Sequence, residues 1–178
     1  MDVGAKGQKA FEADQARLES FCESNNIRVV DDIRHILQIT DRIYFNQRMQ
    51  NLLDRQTWQI RRRFKMPANV EFYNDESNGK TVDERLAEYE EAAEVAGLQY
   101  PVLCKLQTGQ KSTYAHTFFC ANNQAGMREA LAFVGFRNVK LLVQAYLPHK
   151  ERVYKVYGLG EWFRAPVRRS IPDAFMRS

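Results

Sequence analysis

The sequence predicts an α+β fold in which N-terminal helices precede a mainly antiparallel sheet with flanking helices. Helical spacing of apolar residues dominates the chain up to residue 98, whereas short runs of β-branched and aromatic residues dominate from residue 99 onward. Helices and strands that are segregated along the chain are typical of α+β proteins. The chain has 178 residues, 44% hydrophobic and 27% charged, which fits a globular protein of one domain or two small ones.

Helices account for most of the predicted structure before residue 98. Asp31 and Asp32 offer an N-cap for one helix, and Gly97 is the predicted stop of another that is rich in Glu and Ala. The predicted helices cover residues 8–24, a segment that starts at Ile33, residues 41–54 and residues 83–96. Two short apolar runs, residues 27–30 and 70–73, are predicted strands.

Strands dominate the second half of the chain. Their apolar residues are bounded by polar or glycine-containing turns, the tightest of which is Gly158–Gly160. The predicted strands cover residues 101–106, 114–121, 139–147, 152–159 and 161–167, and a short helix is predicted over 123–134.

The composition excludes some classes of protein. The chain has no run of 18 or more apolar residues, so no transmembrane helix is predicted, and its first 20 residues lack the apolar core of a secretory signal. The three cysteines have no metal-ligand spacing, and an odd number favours free thiols in a reducing compartment. We therefore expect an intracellular and most readily cytoplasmic protein, with an organellar location left open.

The net charge of +4 is unevenly distributed along the chain. Arg61, Arg62 and Arg63 belong to one basic block, and seven of the last 29 residues are Lys or Arg. Such clusters attract phosphates or nucleic acid, although a solvated face is the simpler alternative for the first block. A nucleic-acid module would not account for lysines placed inside strands, so nucleic acid is the least favoured partner.

Lys105 is the most informative of these lysines. It follows Val102, Leu103 and Cys104 in an apolar strand, where a charge is costly to bury unless an anion meets it. A polar loop with a glycine follows at once, and the N–H groups of such loops can face phosphate. The pattern favours a nucleotide-phosphate contact, and its alternative is a lysine on the solvated face of a half-exposed strand.

Two later segments could complete a site for a polyanion. The strand that ends in Gln144-Ala145-Tyr146-Leu147 precedes Pro148, and the free backbone groups of such a strand end could pair with an adenine edge. Most strands of this kind are core strands, which is the alternative. Lys155 is again flanked by β-formers, and Arg168 could bind phosphate oxygens bidentately.

The order of these motifs resembles a known family. YPVLCK, His116, LLVQAYL, VYKVYGLG and VRRSIPD occur in the order seen in the inositol 1,3,4-trisphosphate 5/6-kinases, which have the ATP-grasp fold. The resemblance extends over roughly residues 27–175. It implies an ATP-grasp-like α+β fold that is incomplete relative to the family, with a helical extension over 1–26 and a partial ATP-grasp region over 27–178. That region would be mostly helical over 27–98 and strand-rich over 99–178.

The resemblance also implies roles for individual residues. Lys105 would hold the ATP phosphates, and the remaining nucleotide contacts would be Gln144, Tyr146, Leu147 and Ser170. The residues that would face an inositol polyphosphate are Arg42, His116, Lys155 and Arg168. ATP and Mg²⁺ are the implied cofactors, although the magnesium ligands of the family are not found in this chain.

The sequence departs from the family pattern in the loop after Lys105, where Gly109 is early and Lys111 stands in place of an expected glycine. Two hypotheses therefore remain. The chain is a kinase-like protein that binds ATP and an inositol polyphosphate but is catalytically incomplete by itself. Alternatively, it is a non-catalytic structural subunit that uses a degenerate ATP-grasp fold to contact protein partners in a larger assembly.

Overall fold

The computed structural model describes residues 3–109 and 113–173, without the side chains of residues 3–12, 33, 34, 36 and 37. The predicted replacement of a glycine by Lys111 lies outside these residues. The helices are α1 (Val3–Ser24), α2 (Ile33–Thr40), α3 (Arg42–Asp54), α4 (Trp58–Arg63), α5 (Val82–Val95) and α6 (Gln124–Ala132). The strands are β1 (Asn69–Asn74), β2 (Val102–Leu106), β3 (Phe118–Ala121), β4 (Val139–Ala145), β5 (Arg152–Tyr154), β6 (Tyr157–Leu159), β7 (Trp162–Arg164) and β8 (Val167–Arg169).

The chain is therefore an α+β protein, as the sequence predicts. Its main sheet has four antiparallel strands in the order β1-β4-β2-β3, and β5–β8 and β6–β7 form two further antiparallel pairs. None of the helices in the described part of the chain is long and apolar enough to cross a membrane.

Side chains alternate between the two faces of the main sheet. Val102, Cys104 and Leu106 of β2 are buried, whereas Leu103 and Lys105 between them lie on the other face and are partly exposed. The buried face packs against α5 and α6 to form the core. Its central residues from these two helices are Leu86, Tyr89, Ala93, Met127, Ala130 and Leu131. Because the core occupies one face, polar residues of β2 and β4 can lie on the other.

A buried arginine ties the helices to the sheet. Arg85 of α5 is 2% exposed, and its guanidinium donates to Asn74 Oδ1, to the Leu131 carbonyl at 3.1 Å and to Glu76 Oε1 at 2.8 Å. The charge is thus paired and hydrogen-bonded, as burial requires. The contact joins the end of β1 to α5 and α6.

Local sequence signals set the ends of two helices. Thr81 and Glu84 form a reciprocal capping box at the start of α5. Gly97, at a φ of +63°, follows its end in the left-handed conformation that glycine adopts without strain. Asp41 caps α3 by accepting from the N–H groups of Ile43 and Tyr44.

Several predicted strand boundaries are wrong. Residues 27–30 form no strand, because the Ile27 N–H closes the end of α1 on the Cys22 carbonyl. The strand predicted over 114–121 begins only at Phe118, because Tyr114 accepts from the Thr117 N–H in a turn.

The last two predicted strands are each divided in two. Residues 155–156 separate β5 from β6, and residues 165–166 separate β7 from β8. Pro166 has no N–H to donate to a ladder, and its carbonyl accepts from the Lys155 N–H at 3.1 Å. The two short strand pairs therefore replace one long hairpin, and their residues are exposed throughout.

Candidate functional site

A cavity of about 620 Å³ opens on the face of the sheet that is opposite α5 and α6. Its walls come from β2, β4, the linker after β4, and the segment that follows β8. Leu103, Phe118, Val153 and Ile171 are among its apolar lining residues, and Lys105, Gln144 and Arg169 are polar ones. A cavity of this size, mostly apolar with a few polar groups, is typical of small-molecule sites.

The cavity brings together all five residues that the sequence assigns to a nucleotide. Lys105 comes from β2 and Gln144 from β4, and Tyr146 and Leu147 follow β4 in the linker. Ser170 follows β8 and reaches the same cavity because its N–H bonds to the Glu151 carbonyl at 2.9 Å. Their common location is an observation about geometry, and their binding roles remain predictions.

Lys105 places a positive charge on the sheet wall of the cavity. Its Nζ donates to Gln144 Oε1 at 2.9 Å, and burial together with the nearby Arg42 charge lowers its pKa. Among the described residues, Lys105 forms no ion pair with a carboxylate. A half-buried ammonium whose partner is a neutral amide would be stabilised further by an anion.

The linker after β4 is held at its start by backbone hydrogen bonds. The Tyr146 N–H donates to the Pro101 carbonyl at 2.9 Å, which extends the pairing of β4 with β2 by one residue. Tyr146 is buried, whereas Leu147 is 53% exposed. The linker therefore leaves the sheet directly at the rim of the cavity.

Arg42 lies beside the cavity but is occupied by protein groups. Its guanidinium donates to the carbonyls of Leu106 at 2.7 Å, Thr108 at 3.2 Å and Ala115 at 2.9 Å. Burial lowers its pKa. Arg42 thus ties together the two sides of the loop between β2 and β3, and its charge acts on Lys105 from there.

The other three residues assigned to an inositol polyphosphate do not line this cavity. His116 is exposed in the turn before β3, Lys155 is exposed between β5 and β6, and Arg168 is exposed opposite Val153 on β8. Arg169, the next residue, lines the cavity instead. The period-2 alternation of a strand could have separated Arg168 from Arg169, although the sequence alone does not say which one faces inward.

Sequence reasoning missed Asp173 and His149 near the cavity. His149 lines the cavity, and Asp173 accepts hydrogen bonds from the linker. Asp173 is the last residue of the VRRSIPD motif, but neither its residue type nor that of His149 indicates a contact with the linker.

We tested whether the described residues fit a magnesium ion. Within residues 3–109 and 113–173, no group of three or more His, Cys, Asp or Glu side chains is placed to hold a metal. The described residues therefore offer no all-protein cage for this ion, which proteins usually hold through one or two carboxylates together with substrate phosphates.

Comparison with known families decides the relationship of the chain. The model of the inositol 1,3,4-trisphosphate 5/6-kinase ATP-grasp domain matches residues 62–178. The chain belongs to this family. The predicted resemblance is thereby confirmed over this range, and no curated protein matches the chain.

The matched range of this inositol trisphosphate kinase family member contains every residue of the cavity named above. It also contains the main sheet, α5, α6 and both short strand pairs. Family membership supports a kinase-like domain of the ATP-binding class. Arg42 lies before the match begins, so its assignment from the family pattern remains a prediction.

Proposed function

We propose that this chain binds ATP in the cavity between the main sheet and the segment after β8, as a kinase-like ATP-grasp domain. The observation that carries the proposal is the meeting of Lys105, Gln144, Tyr146, Leu147 and Ser170 in one cavity. The family resemblance of the sequence predicts these residues as nucleotide contacts, and they come from three separate parts of the chain.

The charges around the cavity suit the triphosphate. Lys105 forms no ion pair with a carboxylate in the described part of the chain, and Arg169 lines the same cavity. A lysine ammonium acts as a point charge, and an arginine guanidinium donates two parallel hydrogen bonds to a phosphate. Together they can hold neighbouring phosphates. We propose that Lys105 and Arg169 contact the phosphates.

The adenine would lie against the linker. Leu103 and Phe118 supply apolar surface on the sheet, and the backbone of Tyr146 and Leu147 lies at the rim. A flat apolar slot with backbone donors and acceptors at its edge can bind a purine base. Gln144 would then contact the base and also orient the phosphate-binding Lys105, because its Oε1 accepts a hydrogen bond from the Lys105 ammonium.

An inositol polyphosphate would contact the basic surface outside the cavity. Lys155 and Arg168 are exposed on the short strand pairs, and His116 is exposed before β3. Their exposure supports a second, more open anion site beside the nucleotide. Phosphoryl transfer additionally depends on a metal ion, and the described residues form no group of three or more metal-ligating side chains. We therefore propose ligand binding as the function that this chain supplies, with transfer requiring further groups.

Calorimetry and thermal unfolding with ATP test the nucleotide proposal. Binding to the folded state raises the melting temperature by mass action, so ATP at 100 times its dissociation constant adds about 2.7 kcal/mol. Lys105→Met should abolish most of this shift, because it removes the ammonium at the phosphates. Lys140→Met is the matched control, since Lys140 is an exposed lysine of β4 and the net charge changes equally. An ATP shift that survives Lys105→Met would overturn the assignment.

A structural subunit is the second candidate, and one observation favours it. Leu159 is 77% exposed, Trp162 84% and Phe163 75%, so the β6–β7 pair exposes several large apolar side chains. Large exposed apolar patches mark interaction surfaces. In that case ATP would produce no shift at millimolar concentration, and Trp162→Ser with Phe163→Ser would release a protein partner from the purified complex.

A further inference from the structure

A carboxylate that lies outside the predicted site holds the linker of the cavity. Asp173 Oδ1 accepts a hydrogen bond from the Tyr146 hydroxyl at 2.6 Å and from the His149 N–H at 3.3 Å. Its Oδ2 accepts from the Lys150 N–H at 2.9 Å. One side chain thus takes three hydrogen bonds from a segment of five residues.

The same carboxylate connects two walls of the cavity. Tyr146 and His149 line it from the linker, whereas Ser170 and Ile171, three and two residues before Asp173 in the chain, line it from the segment after β8. Hydrogen bonds to an ionised carboxylate are about twice as strong as neutral ones. Asp173 therefore helps to hold these two walls together, alongside the hydrogen bond from the Ser170 N–H to the Glu151 carbonyl.

The linker needs such support because its turn is strained. Lys150 and Glu151 have φ values of 53° and 58°, and the Arg152 N–H donates to the His149 carbonyl at 3.1 Å. Positive φ at both central positions is the geometry of a type I′ turn, for which Asn-Gly is the usual sequence. Residues with side chains such as Lys and Glu adopt this conformation only when the surrounding structure holds it.

We propose that Asp173 is a positioning residue that fixes the 146–150 linker where its backbone can recognise an adenine edge. This inference rests on the proposed nucleotide site and adds the base selectivity of that site to it. Asp173 touches no ligand in this scheme and acts through Tyr146, His149 and Lys150. Without it, the linker would relax while the phosphate contacts at Lys105 stay in place.

The effect of Asp173 on base recognition can be separated from the phosphate contacts by comparing three probes. ATP uses both the linker and the phosphate contacts, GTP presents a different base edge to the linker, and inorganic tripolyphosphate uses the phosphate contacts alone. Asp173→Ala should weaken ATP binding roughly tenfold, because binding must then order the released linker at a cost of about 1.4 kcal/mol. The preference for ATP over GTP should fall with it, and tripolyphosphate affinity should stay unchanged.

Hydrogen exchange of the ligand-free protein gives a second readout. Asp173→Ala should accelerate exchange of the amides of residues 146, 147, 149 and 150, with little change in β2 or α5. Asp75→Ala is the matched control, because Asp75 also accepts local hydrogen bonds, from Ser77 and Asn78, far from the cavity in the chain. Tyr146→Phe removes a single hydroxyl and replaces Asp173→Ala as the test variant if that protein does not fold. It should change base discrimination and linker exchange in the same direction by a smaller factor.

The outcomes distinguish a positioning role of Asp173 in base recognition from a purely structural role. Unchanged exchange in the linker overturns the inference outright. Faster exchange with an unchanged ATP-to-GTP ratio overturns it as well, since Asp173 is then only a structural tether. Wild-type protein that binds tripolyphosphate but not ATP, or neither, overturns the proposed nucleotide function and the selectivity role together. Faster exchange combined with lost base discrimination supports the positioning role.

Discussion

Lys105 and Gln144 are diagonal neighbours on two adjacent antiparallel strands. Lys105 pairs with Leu142 and Leu103 pairs with Gln144, so both polar side chains lie on the face away from the core. The ammonium meets the amide oxygen at 2.9 Å. A long side chain can reach a diagonal partner at this spacing, and the pair places one positive charge and one amide at the floor of the cavity.

Removing the amide should cost stability while the lysine is present. Gln144→Leu leaves the half-buried Lys105 ammonium without its acceptor, which costs about 1–3 kcal/mol of unfolding free energy. Lys105→Met removes the charge itself, so Gln144→Leu should cost much less in that background. Chemical denaturation of the four proteins of this cycle measures the coupling. A coupling energy near zero would contradict a contribution of this hydrogen bond.

Arg42 should control the loop between β2 and β3 more than it controls anions. Arg42→Lys keeps the charge but loses the fork that spans the carbonyls of Leu106 and Ala115, so we expect a loss of about 1.5–3 kcal/mol. Amide exchange should increase in residues 106–109 and 113–117. Arg17→Lys is the control, because Arg17 is exposed and paired only with Asp14 in the described part of the chain. A loop that is unaffected in Arg42→Lys would disprove the tether.

Much of the fold was accessible from the sequence because its signals are local. Both ends of α5 lie within one residue of the predicted 83–96, whose stop Gly97 indicated, and the apolar run around Cys104 predicted β2. The boundaries that failed depend on distant partners. Residues 114–117 have strand-forming side chains, yet Arg42 holds the Ala115 carbonyl, more than 70 residues away in the chain.

The candidate site likewise contains residues that local sequence signals predict and residues whose role depends on distant contacts. Lys105 was recognisable because a charge in an apolar strand is locally unusual, and the order of motifs selected Gln144, Tyr146 and Ser170. Asp173 was missed because its role exists only through hydrogen bonds to a linker more than 20 residues earlier. The boundary at residues 26 and 27 between a helical extension and the ATP-grasp region remains a prediction.

Arg85 and Asn74 should behave as one buried unit. Asn74→Ala removes the Oδ1 that accepts from the fully buried guanidinium and the amide that donates to the carbonyls of Leu131 at 3.0 Å and Phe136 at 2.6 Å. Removing the acceptor of a buried donor costs about 1–3 kcal/mol, and more when the donor is charged. Thermal unfolding should show this loss, whereas Asn78→Ala, in the exposed turn after β1, should stay within about 0.5 kcal/mol of wild type.

Alkaline unfolding should report the environment of Tyr146. Burial and, secondarily, the hydrogen bond to Asp173 raise the pKa of the Tyr146 hydroxyl to about 12, above its ordinary value of 10.0. Because the folded state then holds the proton more tightly than the unfolded state, this group stabilises the fold fully below pH 10. That contribution is lost as the pH rises toward 12. Wild type should therefore lose stability faster than Tyr146→Phe between these two values, as measured by urea denaturation at several pH values. Parallel curves would show that the hydroxyl is solvated, and that the hydrogen bond between the linker and Asp173 is too weak to hold the wall of the cavity.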